Sequence, residues 1–200
     1  MNASFNRRTF LQVSGGTAAA MSLGFVWPTH AQNTQPTEVN AWIDIHADDT
    51  VVIRYARTEM GQGSRTSAPM LIAEELEVDW KKVRVVDVPA HDNLRRKRVY
   101  GDMASVGSRT IRMSQEYLRK AGAAARMLLI EAAAKRWGVP ASECKASLGQ
   151  VVHVGSKRQL RYGQLAAEAA TLTPPKDIPD RKSTRLNSSH VKRSRMPSSA

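Results

Sequence analysis

Apolar and polar positions alternate residue by residue in two short runs, Ala41 to His46 (AWIDIH) and Val51 to Ala56 (VVIRYA), separated by the polar loop Ala47 to Thr50. A two-residue period puts one face of each run against a core, so the pair predicts a β-hairpin with a four-residue loop. Helical spacing follows over Ala68 to Val78 (APMLIAEELEV), with Pro69 expected within the first turn, where a missing N–H costs nothing. Lys81 to Ala90 (KKVRVVDVPA) reads as another strand, and His91 to Gly107 as a long polar loop closed by glycine.

From Ser108 or Ser114 to Trp137 the chain is rich in alanine, leucine and other strong helix formers. Gly138 and then Pro140 supply the stop signal. Cys144 to Tyr162 suggests two short strands around a turn, and the stretch from Gly163 to Leu172 a final amphipathic helix, with a linker starting at Thr173. Strands and helices are mixed without a regular βαβ alternation, so the expected class is α+β with one long helix near 112–137.

Composition agrees with a globular domain: 42% apolar and 24% charged residues over 200 positions. The net charge of +12 points to nucleic acid until the charges are located. Six basic residues and no acid occupy 181–200, Arg7 and Arg8 lie in the first 31 residues, and the middle keeps only a modest excess with no basic stripe. Nucleic-acid binding is therefore not expected.

Residues 181–200 lack apolar periodicity and read as a disordered basic tail, resembling a translated sequencing adapter, so they are set aside from fold reasoning. On that reading the chain is an N-terminal fragment. Arg7-Arg8-Thr9-Phe10-Leu11 followed by a weakly apolar, glycine- and alanine-rich run resembles a twin-arginine export signal over 1–31, with Ala31 at a cleavable position. The run is too short for a stable membrane span. Periplasmic location follows as an expectation, and 32–39 (QNTQPTEV) reads as a polar linker. Cys144, the single cysteine, forms no internal disulfide and is expected as a small buried hydrophobe.

The candidate chemistry sits at Thr58 to Ser67 (TEMGQGSRTS). Glycine lets a ligand approach the main chain closely, so Gly61 and Gly63 can expose backbone amides on either side of Gln62, whose carboxamide both donates and accepts. Glycines at a strand-to-helix junction also serve simply to turn the chain. A lone carboxylate such as Glu59 suits solvation or amide capping better than acid catalysis. The small-residue loop before the long helix, with Ser105, Gly107, Ser108, Arg109 and Thr110, offers N–H groups and a forked cation suited to phosphate, while Ser108 or Thr110 could equally cap the helix. The five histidines show no metal-ligand spacing, His46 and His153 read as ordinary surface residues on strands, and no Cys-x-x-Cys exists for an iron–sulfur cluster.

Taken together, EMGQG, the following SRTSAPMLIAEELEVDWKKVRV, ASVGSRTIRMSQEYLRKAGAAARMLLIEAAAKRWGVPASECKAS and LRYGQLAAEAA resemble the molybdopterin-binding large subunit of the xanthine dehydrogenase and aldehyde oxidase family, in the exported branch related to the isoquinoline 1-oxidoreductase beta subunit. The similarity covers nearly all of Asn40 to Pro179. It implies that Gly61, Gln62 and Gly63 contact the pterin of the molybdenum cofactor, and that Gly107, Ser108, Arg109 and Thr110, with Ser105, hold more of it. The cytosine dinucleotide is one form that cofactor takes.

The resemblance further implies a molybdenum hydroxylase that oxidises a small-molecule aldehyde or N-heterocycle with oxygen from water and passes electrons to an iron–sulfur small subunit. The family's catalytic glutamate would lie in a missing C-terminal remainder, so this segment has no catalytic residue and is inactive alone. A different class, a small exported binding protein without catalysis, is the alternative.

Overall fold

The alternating pair folds as expected in the computed structural model, which describes residues 36–175, 177 and 178. Strand β2 (Ile43–Ile45) pairs antiparallel with β3 (Val51–Tyr55). Their loop closes through His46 N–H to the Thr50 carbonyl at 2.9 Å and Asp49 N–H to the His46 carbonyl at 3.0 Å. The expected leader and tail lie outside the described residues.

Two further strands complete this sheet in the order β1-β2-β3-β4. Strand β1 (Thr37–Asn40) pairs antiparallel with β2, so the expected linker over 32–39 is corrected at its C-terminal part: Thr37 to Val39 are strand residues. A polar edge strand carries little apolar signal, and its ladder partner, rather than its composition, makes it a strand. Strand β4 (Val83–Asp87) runs parallel to β3. A parallel neighbour needs a crossover, and helix α1 (Ser64–Leu76) supplies it.

Helix α1 begins four residues before the predicted Ala68, so Pro69 falls in its second turn rather than its first. That position loses a backbone hydrogen bond to Arg65. Pro69 is fully buried between sheet and helices, and packing there outweighs local propensity.

The expected loop after β4 contains a short helix, α2 (Ala90–Arg95), and, before the long helix, a 3-10 turn at Val106–Ser108 and a four-residue helix α3 (Arg109–Arg112). The long helix α4 (Gln115–Trp137) ends at Gly138 in the left-handed conformation, with the Val139 N–H returning to the Ala134 carbonyl at 3.1 Å. Three strands follow instead of two: β5 (Cys144–Ser147), β6 (Gln150–His153) and β7 (Gln159–Arg161) form an antiparallel sheet, before helix α5 (Tyr162–Ala170). The α+β class stands. Among the described residues no helix is long and apolar enough to cross a membrane.

One apolar core joins these elements. Ile43, Ile45, Val51 and Ile53 from the first sheet meet Ile72 and Leu76 of α1, Leu128 and Leu129 of α4, Val151 of β6 and Leu165 of α5. Each such side chain contributes about 1.5–3 kcal/mol by burial. Helices α1 and α4 cross closely at Gly122, where a Cβ would lie 2.5 Å from the Ile72 carbonyl oxygen. Cys144 is buried, as expected of a small hydrophobe.

Candidate functional site

Strand β3 delivers the chain to the site. Beyond Tyr55 it runs through Arg57 and Thr58 into the corner Glu59 to Gly63, which opens directly into α1. Gly61 (φ 92°) and Gly63 (φ 76°) adopt conformations that L side chains rarely take. A Cβ on either would meet nothing within 4 Å, so the corner faces open space and a ligand can come close to its main chain.

The corner's polar groups are nonetheless engaged. Glu59 reaches back over the turn: its Oε1 accepts from the N–H groups of Gly61 at 2.8 Å and Gly63 at 2.9 Å, and its Oε2 from the Arg65 N–H at 2.8 Å and the Ser64 hydroxyl at 3.3 Å. The amides expected to be exposed at Gly61 and Gly63 are taken by this internal carboxylate. Glu59 is therefore the amide cap, and the donation, first from Arg65 and then from Gly63, holds its carboxyl below the ordinary glutamate range.

Gln62 folds inward as well. Its Nε2 donates to the Thr58 carbonyl at 3.0 Å and the Ser64 hydroxyl at 2.6 Å, while its Oε1 accepts from the Met60 N–H at 2.6 Å. The buried Ser64 hydroxyl also meets the Tyr55 hydroxyl at 2.6 Å, which anchors the corner to β3.

The second small-residue bend lies against the first. Thr58 N–H donates to the Ser105 hydroxyl at 3.0 Å, which in turn donates to the Thr58 carbonyl at 2.9 Å. Arg57, with a side chain only 9% exposed, spans the two bends: Nη1 binds Asp102 at 2.6 Å and the Ala104 carbonyl, and Nη2 binds the Ser114 hydroxyl and the Tyr117 hydroxyl, each at 3.2 Å. Arg57 was not among the residues expected at the site. The signal available was a cation two residues past the end of an alternating strand, directly before the glycine corner.

The candidate residues divide. Gly107 and Ser108, both at positive φ, and Arg109 are exposed on the bend, and Arg109 shares Asp102 with Arg57 at 3.2 Å. Thr110 is buried, and its hydroxyl has no hydrogen-bond partner; the Arg57 Nε is likewise buried without one. Thr110 therefore points into the protein and is not on the open ledge with the others. Neither Ser108 nor Thr110 caps the long helix, whose N-cap is Ser114. Ser108 stands at the N-cap of the four-residue α3 and makes no side-chain capping bond. The expected long-helix dipole behind this loop is accordingly absent at 107–110, because the chain breaks at Met113 and Ser114 before α4 starts.

His153 also departs from expectation: it is buried, with Nε2 2.9 Å from Glu143 and Nδ1 2.7 Å from the Ser156 hydroxyl. It faces inward on β6 and stitches the neighbouring turn. Glu143 precedes β5 and Ser156 lies in the β6–β7 turn, so the cluster ties one end of that sheet.

With this geometry in place, comparison with known proteins gives the class. A family model described as a molybdopterin cofactor-binding domain matches residues 2–197, and the chain belongs to that family. It is 36% identical over 169 residues to the beta subunit of isoquinoline 1-oxidoreductase from Brevundimonas diminuta, a match covering 81% of this chain and 22% of that protein. It is 31% identical to a membrane-bound aldehyde dehydrogenase (pyrroloquinoline-quinone) of Gluconacetobacter polyoxogenes, covering 83% of this chain and 22% of the relative. It is also 31% identical to a nicotinate dehydrogenase subunit of Pseudomonas putida, covering 61% and 10%. The chain thus spans about a fifth or less of the curated relatives it matches. Quinoline 2-oxidoreductase from Pseudomonas putida 86 is a similar solved structure, with a TM-score of 0.49 and 15% identity over 68% of this chain and 17% of that one.

The donor set fits a pterin carrying phosphate on the second bend, where exposed Ser108 and Arg109 present a hydroxyl and a guanidinium, and where two guanidiniums share one carboxylate. At the first bend the open, side-chain-free ledge fits close approach, while its amide donors are held by Glu59.

Proposed function

We propose that this chain supplies the cofactor-gripping part of an exported molybdenum hydroxylase. What supports the reading is the family match over residues 2–197 together with the hydrogen-bonded meeting of the two bends at Thr58 and Ser105. When bound, the molybdenum cofactor would supply the redox chemistry of carbon hydroxylation, and the protein supplies grip and orientation.

On this reading Ser108 and Arg109 hold phosphate, Gly61 and Gly63 let the pterin lie against the main chain, and Gln62 exchanges one of its internal bonds for the heterocycle edge. Ser105 keeps the bends together, and Gly107 gives the second bend its left-handed turn. Thr110 acts from below, as a buried support. The substrate class is an aldehyde or N-heterocycle: the relatives' names include isoquinoline, nicotinate and aldehyde. One of those names also specifies pyrroloquinoline quinone, so the molybdenum assignment rests on the family match. Two relatives are named as subunits, which supports a partner; on this reading the partner is an iron–sulfur subunit that takes the electrons.

The test is molybdenum and pterin content after expression in a host that makes the cofactor, including its cytosine dinucleotide form. Retention by the chain and its loss on Arg109→Glu is the expected result; equal content in both, or none in either, rejects the assignment. Export is tested separately: residues 1–40 fused to a folded reporter should reach the periplasm, and Arg7→Lys with Arg8→Lys should stop it.

A further inference from the structure

Beside the two bends lies an open groove of about 770 Å³ that none of Gly61, Gln62 and Gly63 lines. Its walls are aromatic. Trp42 meets Tyr100 edge-on, with ring centroids 4.8 Å apart, and lies tilted against Tyr117 at 5.4 Å. Half-buried Arg57 forms a cationic base, and Arg109 and Arg112 stand with Val99 and Met113 around it.

The charges do not balance. Asp102 is the carboxylate among the lining residues, against three guanidiniums, and both its oxygens are engaged, one by Arg57 and one by Arg109. Arg112, exposed, reaches the Gly107 carbonyl at 3.4 Å. Lys97 and Arg98, also exposed, immediately precede Val99 in the chain and add to the local positive charge. Apolar side chains are laid open in the same place: Val99 is 47% and Met113 59% exposed, with Val106 at 68% on the adjoining bend.

We propose that this groove docks an acidic polypeptide segment that carries aliphatic or aromatic anchor residues. Tryptophan, tyrosine, arginine and methionine are the residue types that concentrate at the centres of protein interfaces, and this groove is built from them. Contiguous exposed apolar side chains rimmed by charge mark a protein-binding surface. The excess of guanidinium over carboxylate selects an acidic partner. An open groove favours a chain laid along it over a small anion, which binds best where most of its surface is enclosed. The groove shares Arg109 with the cofactor reading, so the proposal is tested through Arg112 and Met113, which have no part in that reading.

The experiment uses the 200-residue chain and short fluorescein-labelled peptides, one alternating glutamate with leucine and one alternating lysine with leucine. The acidic peptide should raise anisotropy saturably and lose affinity as salt is added, and the basic one should not bind. Arg112→Glu and Met113→Asp should each weaken binding about tenfold or more, while Arg112→Lys keeps the charge and most of the affinity. Both side chains are exposed, so circular dichroism should be unchanged in every variant. No saturable binding, equal binding of both peptides, or indifference to both substitutions overturns the proposal. Full displacement by inorganic pyrophosphate or a nucleoside monophosphate overturns it in favour of a small-anion site.

Discussion

Glu59 and Glu75 stand near opposite ends of α1 and meet opposite conditions. Glu59 sits over the glycine corner and is held by three backbone N–H groups and a hydroxyl. Glu75 is 1% exposed, and Arg126 of α4 answers it at 3.4 Å while also donating to the Glu75 carbonyl. Near water, neutral donors are enough to fix a carboxylate, since solvent does the rest. In the interior a charge must be answered by a charge, and removing one partner costs more than it does near water. The first arrangement therefore shapes a surface, and the second locks two helices together.

The most damaging change should be Arg126→Leu, which takes a guanidinium away from the buried Glu75 carboxylate and from its carbonyl. Urea denaturation should show a loss of about 3–5 kcal/mol. A loss under about 1 kcal/mol, the size of an ordinary surface substitution, would erase the contrast between the two glutamates. Next comes Gly122→Ala, at the same helix crossing: a methyl 2.5 Å from the Ile72 carbonyl forces α1 and α4 apart, at about 1–3 kcal/mol by the same measurement. An unchanged midpoint would mean that the crossing yields to a methyl without cost.

The smallest effect belongs to Glu59→Gln, read as a modest drop in thermal midpoint at neutral pH. Its sign with pH is fixed by the direction of the shift. Hydrogen bonds from the Arg65 and Gly63 amides lower the folded-state pKa, so the carboxylate's contribution is present above its unfolded value and is lost as pH falls through the folded one. The gap between Glu59→Gln and the parent chain should close on acidification. A gap that is constant with pH would show that Glu59 is held by shape and not by charge.

Part of this was legible along the chain. Alternation in AWIDIH and VVIRYA identified β2 and β3, the Gly138–Pro140 pair marked the end of α4, and an amide-capping role was among the roles open to Glu59. Those features depend on neighbours in sequence. Strand β1 was hidden because TEVN has too few apolar positions to declare a face until β2 lies beside it. Pro69 displaced the predicted start of α1, since local propensity counts the lost hydrogen bond but not the burial that offsets it. The role of Arg57 was invisible for a further reason: its partner Asp102 is 45 residues away.

What the sequence determined by itself lies within a turn or two of chain: the alternation of β2 and β3, the stop of α4 at Gly138, and two bends of small residues. Only the tertiary structure decided that Ser105 meets Thr58, that half-buried Arg57 bridges the bends, and that Thr110 turns inward while Arg109 stays in water. Hydrogen bonds and charges act over a few ångströms of space, and no spacing along the chain encodes which distant groups the fold will bring within that reach.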